Sequence, residues 1–125
     1  MPPLDHDHPV DPDRIAAARR GLIDVADAGR LAWLLGLIQD PVRSRVLFAL
    51  SAANELCVGD MALALDVSED AASYALKLLR MAGLVQFRKQ GRVVYYRLSD
   101  AFPHQLLEHC LRQLLTIGAP EDGQP

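Results

Sequence analysis

Several things are scarce in this chain, and each scarcity closes off a class of protein. Only two of its 125 residues are cysteine, Cys57 and Cys110. That is too few for the disulfide framework of a small secreted scaffold, and free thiols in a reducing compartment are the simpler expectation. No stretch of 18 uninterrupted apolar residues occurs, so no membrane-spanning helix is expected. The opening MPPLDHDHPVDPD is acidic and proline-rich. It lacks the basic start and apolar run of a signal peptide, so the expected location is the cytoplasm. No glycine-rich phosphate loop, Ser/His/Asp constellation or Cys–His spacing is present, which argues against an enzyme. One further absence is local: Ala71 to Ser99 contains no Asp or Glu.

What is present gives that gap its meaning. The net charge of −3 is the wrong sign for a nucleic-acid binder. The acid-free stretch, however, holds Lys77, Arg80, Arg88, Lys89, Arg92 and Arg97, six of the thirteen basic residues, while seven of the sixteen acids lie in residues 1–40. A phosphate backbone responds to the local field rather than to the overall charge. Half of the chain is apolar, enough for one domain with a core. The division expected is a disordered N-terminal arm over 1–11, one folded domain over 12–117 and a disordered polar tail over 118–125.

The punctuation predicts the elements. Asp11-Pro12 starts a helix reaching about Ala26, and a second runs from about Asp27 to Gln39. Leu31, Trp33, Leu34, Leu35, Leu37 and Ile38 cover most of its circumference, so it is expected to be buried on several sides. Asp40-Pro41 restarts a helix to about Ala53. Leu56-Cys57-Val58 is briefly extended, a short helix spans 59–65, and Asp66-Val67-Ser68 is a tight turn. Ser68 caps a helix to about Ala82, with Leu76, Leu79 and Met81 available for the core, and Gly83 ends it. LVQFRKQGRVVYYRL is a hairpin turning at Gln90-Gly91. Ser99 or Asp100 caps a last helix to about Ile117, whose apolar stripe is Leu106, Leu107, Cys110, Leu111, Leu114 and Leu115.

Helices, then helix–turn–helix, then hairpin, then helix is the order of a winged helix-turn-helix: mainly α with a β-hairpin wing. In that module the second helix, 69–82, enters the major groove and the wing reaches flanking phosphate. The acid-free stretch covers those two elements and no others. Ser73 and Tyr74 are the candidate base-edge contacts, and Lys77 and Arg80 the phosphate contacts. Arg88, Lys89 and Arg92 would anchor the wing. For Tyr74, packing of the ring into the core is the competing expectation.

The strings DPVRSRVLFAL (40–50), ELCVGDMALALDVSEDAASYALKLLRMAGLV (55–85) and FRKQGRVVYYRLSD (87–100) resemble the ArsR/SmtB family of metal-responsive bacterial repressors. The likeness covers about residues 27–117. It implies a homodimer built from the first and last helices, operator DNA as partner, and a bound ion as the signal for release. Where the family's recognition helix commonly reads S-x-S-A-V-S-H-Q-L, this chain has SEDAASYAL, with Tyr74 and Ala75 in place of His and Gln and Asp70 in place of a small hydroxyl.

Two metal sites recur among proteins with that likeness. The one on the last helix would fall on Asp100, Phe102, Gln113 and Thr116, of which only the first suits zinc. The other uses the Cys and Asp of ELCVGD with ligands from the partner's N-terminal arm. It corresponds here to Cys57 and Asp60, with His6 and His8 on the arm. One Cys, one Asp and two His form a sound tetrahedral set for Zn²⁺, and the thiolate also suits Cd²⁺. A different site at His104, Glu108 and His109 is the alternative. Sensing of a thiol-reactive or redox signal through Cys57 and Cys110, or of no ligand at all, stays open beside metal sensing.

Overall fold

The computed structural model of the chain describes residues 7–118. The chain divides into two units, Met1–Trp33 and Leu34–Pro125. The first carries α1 (Pro12–Gly21) and most of α2 (Val25–Ile38). The second carries α3 (Pro41–Ala53), β1 (Leu56–Cys57), α4 (Val58–Leu65), α5 (Glu69–Met81), β2 (Val85–Gln90) and β3 (Val93–Leu98). A π-helical segment (Leu106–Leu111) and α6 (Arg112–Ile117) complete it.

Local capping explains most of these boundaries. Asp11 accepts from the Arg14 backbone N–H at 3.1 Å and starts α1 ahead of Pro12. The helix expected to reach Ala26 stops at Gly21. Leu22 is extended, and Asp24 accepts from the Asp27 N–H at 2.7 Å, so a second cap starts α2 two residues earlier than expected. Asp40 caps α3 through the Arg43 N–H at 3.0 Å. Arg43 also donates from Nε to the Leu37 carbonyl at 2.6 Å, satisfying an acceptor left open at the end of α2. Asp66, left-handed at φ 56°, closes α4, and Ser68 Oγ accepts from the Ala71 N–H at 3.0 Å to open α5. Gly83, at φ +81°, lets the chain reverse after α5, a conformation that costs a side chain bearing Cβ about 1 kcal/mol or more.

The sheet has three strands in the order β1-β3-β2. Gln90 faces Val93, so the wing turns through Gly91-Arg92 rather than Gln90-Gly91, with Gly91 at φ +63° in the first loop position. On the other side of β3, Leu56 pairs with Tyr96 and Cys57 with Tyr95. The wing is thereby fastened to the strand that leads into α4.

The core lies among α3, α4, α5 and the sheet. Val46, Leu47, Leu50, Met61, Leu76, Leu79 and Leu107 are essentially inaccessible, and Val85 and Leu98 close it from the hairpin. Each such side chain contributes about 1.5–3 kcal/mol of burial. Met81, expected among them, is 70% exposed, because α5 presents Ala72, Ala75, Leu76 and Leu79 inward and Met81 falls on the other side.

Two expectations about the end helices need correction. No residue of α2 is buried, and Trp33 is 60% exposed. The last helix is not capped by Ser99 or Asp100. Asp100 is paired with Arg97 at 2.8 Å, Phe102 turns into the core at 4% exposure, and the helix begins beyond Pro103. Its π segment breaks the regular spacing on which a single stripe depends. Leu107 is buried and Leu106 and Leu111 are half-buried, whereas Cys110, Leu114 and Leu115 face out. Residues 1–6 of the expected arm and 119–125 of the tail lie outside the described residues.

Candidate nucleic-acid interface and effector site

The face of α5 opposite its core side carries Ser73, Tyr74 and Lys77, all exposed. Lys77 stands three residues from Tyr74 and four from Ser73, so the three share one side of the helix. Tyr74 is 61% exposed beside a cleft of about 180 Å³ lined by Asp40, Val42 and Arg43. The ring is therefore not a core residue. Glu69 and Asp70 occupy the first turn, where the helix dipole favours carboxylates. At the other end of α5 the Arg80 guanidinium lies over the Phe87 ring of β2 at 4.9 Å, held toward the wing by a cation–π contact.

The six cations of the acid-free stretch fall into two groups. Lys77, Arg80, Lys89 and Arg92 are exposed and have no carboxylate partner among the described residues. Arg97 is neutralised by Asp100, just beyond the stretch. Arg88 is held by Glu55, 33 residues earlier in the chain. Its Nε and Nη2 donate to the two carboxylate oxygens at 2.7 and 2.8 Å. Its Nη1 donates to Gln90 Oε1 at 2.8 Å, and the guanidinium lies 4.8 Å from the Tyr95 ring centroid. The hydrogen bonds from Arg88 hold the Glu55 carboxyl below the usual carboxylate range, and Glu55 in turn raises Arg88. The expected wing anchor at Arg88 thus meets a competitor within its own chain. The sequence alone assigns Glu55 no role. Its only local signal is an acid immediately before a strand, which does not name a partner.

The candidate effector residues flank the start of α4. Cys57 is a half-buried free thiol in the N-cap position, with no capping hydrogen bond from its side chain. Asp60 is exposed in the first turn, three residues on, which places it on the same side of the helix. The pair supplies two donors suited to a borderline or soft ion and leaves the others to come from elsewhere. His8 is exposed in the first unit, and His6 lies outside the described residues. Among the described residues no three His, Cys, Asp or Glu side chains are gathered to hold a metal.

That finding also covers the alternative at His104, Glu108 and His109. Glu108 accepts from Ser51 Oγ at 3.3 Å, His104 sets its ring edge-on to Phe102 at 6.3 Å, and the three are not brought together within one chain. On the last helix the position implied for a ligand at Phe102 is in the core, and the Thr116 hydroxyl donates to the Arg112 carbonyl of its own helix at 3.4 Å.

Comparison with known proteins agrees with the winged-helix fold. The model of the arsR family of bacterial regulatory proteins matches residues 40–86, which span α3 to β2. A cadmium resistance transcriptional regulatory protein CadC homolog from Staphylococcus aureus is 32% identical over 116 residues, covering 90% of this chain and 91% of that one. A transcriptional repressor SmtB homolog from Synechocystis sp. is 39% identical over 88 residues, 70% of this chain and 66% of that protein. Among solved structures, the AntR antimony-specific transcriptional repressor superposes with a TM-score of 0.69 at 27% identity, covering 89% of this chain and 97% of the other.

Proposed function

The chain belongs to the arsR family of bacterial regulatory proteins, and from that premise we propose that it is a homodimeric repressor that releases its operator when Zn²⁺ or Cd²⁺ binds. It is a regulator and not an enzyme. The observation that carries the DNA-binding reading is the surface formed by α5 and the wing tip, where Lys77, Arg80, Lys89 and Arg92 stand without carboxylate partners. In this reading α5 lies in the major groove, Ser73 and Tyr74 meet base edges, and the four cations meet phosphate. Tyr74 and Asp70 set an operator preference different from that of a His- and Ser-bearing helix.

Dimerisation rests on the apolar surfaces of α2 and α6, which a single chain leaves in water. A second copy would cover them and bring the arm of one protomer to α4 of the other. Cys57, Asp60, His6 and His8 would then hold the ion, which supplies a bond between a thiolate at the head of the helix-turn-helix and imidazoles on the arm. A coupling of about 1–3 kcal/mol between that site and the DNA surface is sufficient to loosen an operator. The CadC relative carries cadmium in its name and the AntR relative antimony, and the choice of Zn²⁺ or Cd²⁺ here rests on the donor set. A thiol-reactive signal is the second reading, favoured by the exposure of Cys110.

Titrating the reduced protein with Cd²⁺ while following the ultraviolet thiolate-to-metal absorption separates the two readings. The metal reading expects a band saturating near one ion per protomer that Cys57→Ser removes. No band at stoichiometric Cd²⁺ would transfer the signal to thiol chemistry. A salt series with labelled DNA from upstream of the protein's own gene tests the repressor reading. With three or four phosphates neutralised per protomer, affinity should fall by roughly 10³-fold or more between about 50 and 200 mM salt.

A further inference from the structure

The wing carries three cations near its tip, and they are not equivalent. Lys89 and Arg92 flank the Gly91 turn, exposed and without carboxylate partners among the described residues. Arg88 is committed. Both oxygens of Glu55 receive its Nε and Nη2, Gln90 receives its Nη1, and the Tyr95 ring lies under its plane. A bidentate guanidinium–carboxylate pair with a third hydrogen bond and a stacked ring is among the more directional arrangements two side chains adopt. Tyr95 belongs to β3 and pairs on one side with Arg88 and on the other with Cys57 of β1. Glu55 is immediately before β1. The arrangement therefore ties the outer strand of the wing across β3 to the segment that enters α4.

We propose that Glu55 is a positioning residue of the DNA-binding wing: it withholds Arg88 from phosphate and fixes the wing against β1, leaving Lys89 and Arg92 as the wing's phosphate contacts. This rests on the DNA-binding reading above. Its consequence is specific. Arg88 is close enough to the tip to count as a phosphate contact by sequence, and in the folded protein it does not count as one. Glu55 thus caps the sequence-independent part of the wing's affinity. Its removal frees one cation per protomer without altering the α5 face that reads bases.

The number of neutralised phosphates is read directly from the slope of log affinity against log salt, about 0.9 per phosphate. The experiment is fluorescence anisotropy on a labelled duplex of mixed sequence over a salt series, without added metal. Wild type is compared with Glu55→Ala, Arg88→Ala, the double variant and Arg92→Ala. Folding is checked by circular dichroism, and Glu55→Gln serves the same comparison should the alanine variant not fold. The expected result is a slope steeper by about 0.9 per protomer in Glu55→Ala. Arg88→Ala and the double variant should keep the wild-type slope, and Arg92→Ala should lose about 0.9. A general change in charge does not give this pattern, because it would flatten the slope in Arg88→Ala. Loss of slope in Arg88→Ala equal to that in Arg92→Ala would overturn the proposal, as would an unchanged slope in Glu55→Ala. Absence of salt-sensitive binding by wild type would instead overturn the DNA-binding reading, and the proposal with it.

Discussion

Helices α2 and α5 are both rich in apolar residues and end in opposite states. In α5 the inward residues Ala72, Ala75, Leu76 and Leu79 lie on one side, and Ser73, Tyr74, Lys77 and Arg80 on the other. One layer of neighbours, α3, α4 and the sheet, is enough to cover it. In α2 the residues Leu31, Trp33, Leu34, Leu35, Leu37 and Ile38 run round the helix, and none is buried. An all-round apolar helix needs neighbours on several sides, and a single chain of this length does not provide them. Apolar content thus says that a helix needs cover, whereas the phase of the apolar residues says whether its own chain can supply it. α6 belongs with α2: Leu114, Leu115 and Ile117 are exposed.

Substitutions on the two sides of this contrast should behave differently. Leu76→Ala, at a fully buried site, should cost about 2–5 kcal/mol in urea unfolding, with little dependence on protein concentration beyond that of wild type. Leu115→Glu, at a site 68% exposed in the single chain, should instead move the sedimentation equilibrium toward monomer and lower stability only through lost association. A Leu115→Glu protein that remained as dimeric as wild type would break the comparison, because the α6 surface would then not be an interface. Ser68→Ala removes the cap between α4 and α5 and should cost about 1 kcal/mol by thermal unfolding.

The smallest effect concerns pH. Glu55 is held below the usual carboxylate range. The stabilisation it gives the wing is therefore present above its unfolded-state value and lost as pH falls through the lowered folded-state value. Amide exchange in β2 should accelerate in that acidic window beyond the intrinsic pH trend, and the extra acceleration should be absent in Glu55→Ala.

How much of this was legible in the sequence follows from the range of the interactions. The caps at Asp40 and Ser68 and the reversal at Gly83 act over three residues or fewer, and they stand where sequence reading puts them. The outward face of α5 was legible in part: Ser73 and Lys77 are exposed as expected, whereas Tyr74 had core packing as a competing expectation and Met81, expected in the core, is exposed. The break at Gly21 was missed because Asp24 offered a second cap within a stretch that reads as one helix. The π segment was missed because the stripe from Leu106 to Leu115 assumes a constant 3.6-residue period. The Glu55–Arg88 pair spans 33 residues, and the two side chains are brought together by the pairing of β3 with β1 on one side and β2 on the other. Of the proposed metal ligands Cys57, Asp60, His6 and His8, one chain brings only Cys57 and Asp60 to the same helix start, and no three such side chains gather among the described residues.

One measurement bears on the central claim that Cys57 controls a DNA-binding surface it does not touch. The reduced protein would be bound to labelled DNA from upstream of its own gene and titrated with Cd²⁺, wild type beside Cys57→Ser. The account predicts that both bind equally in the absence of metal, and that the ion releases wild type while leaving Cys57→Ser in place. Release of Cys57→Ser at the same Cd²⁺ concentration as wild type would contradict it.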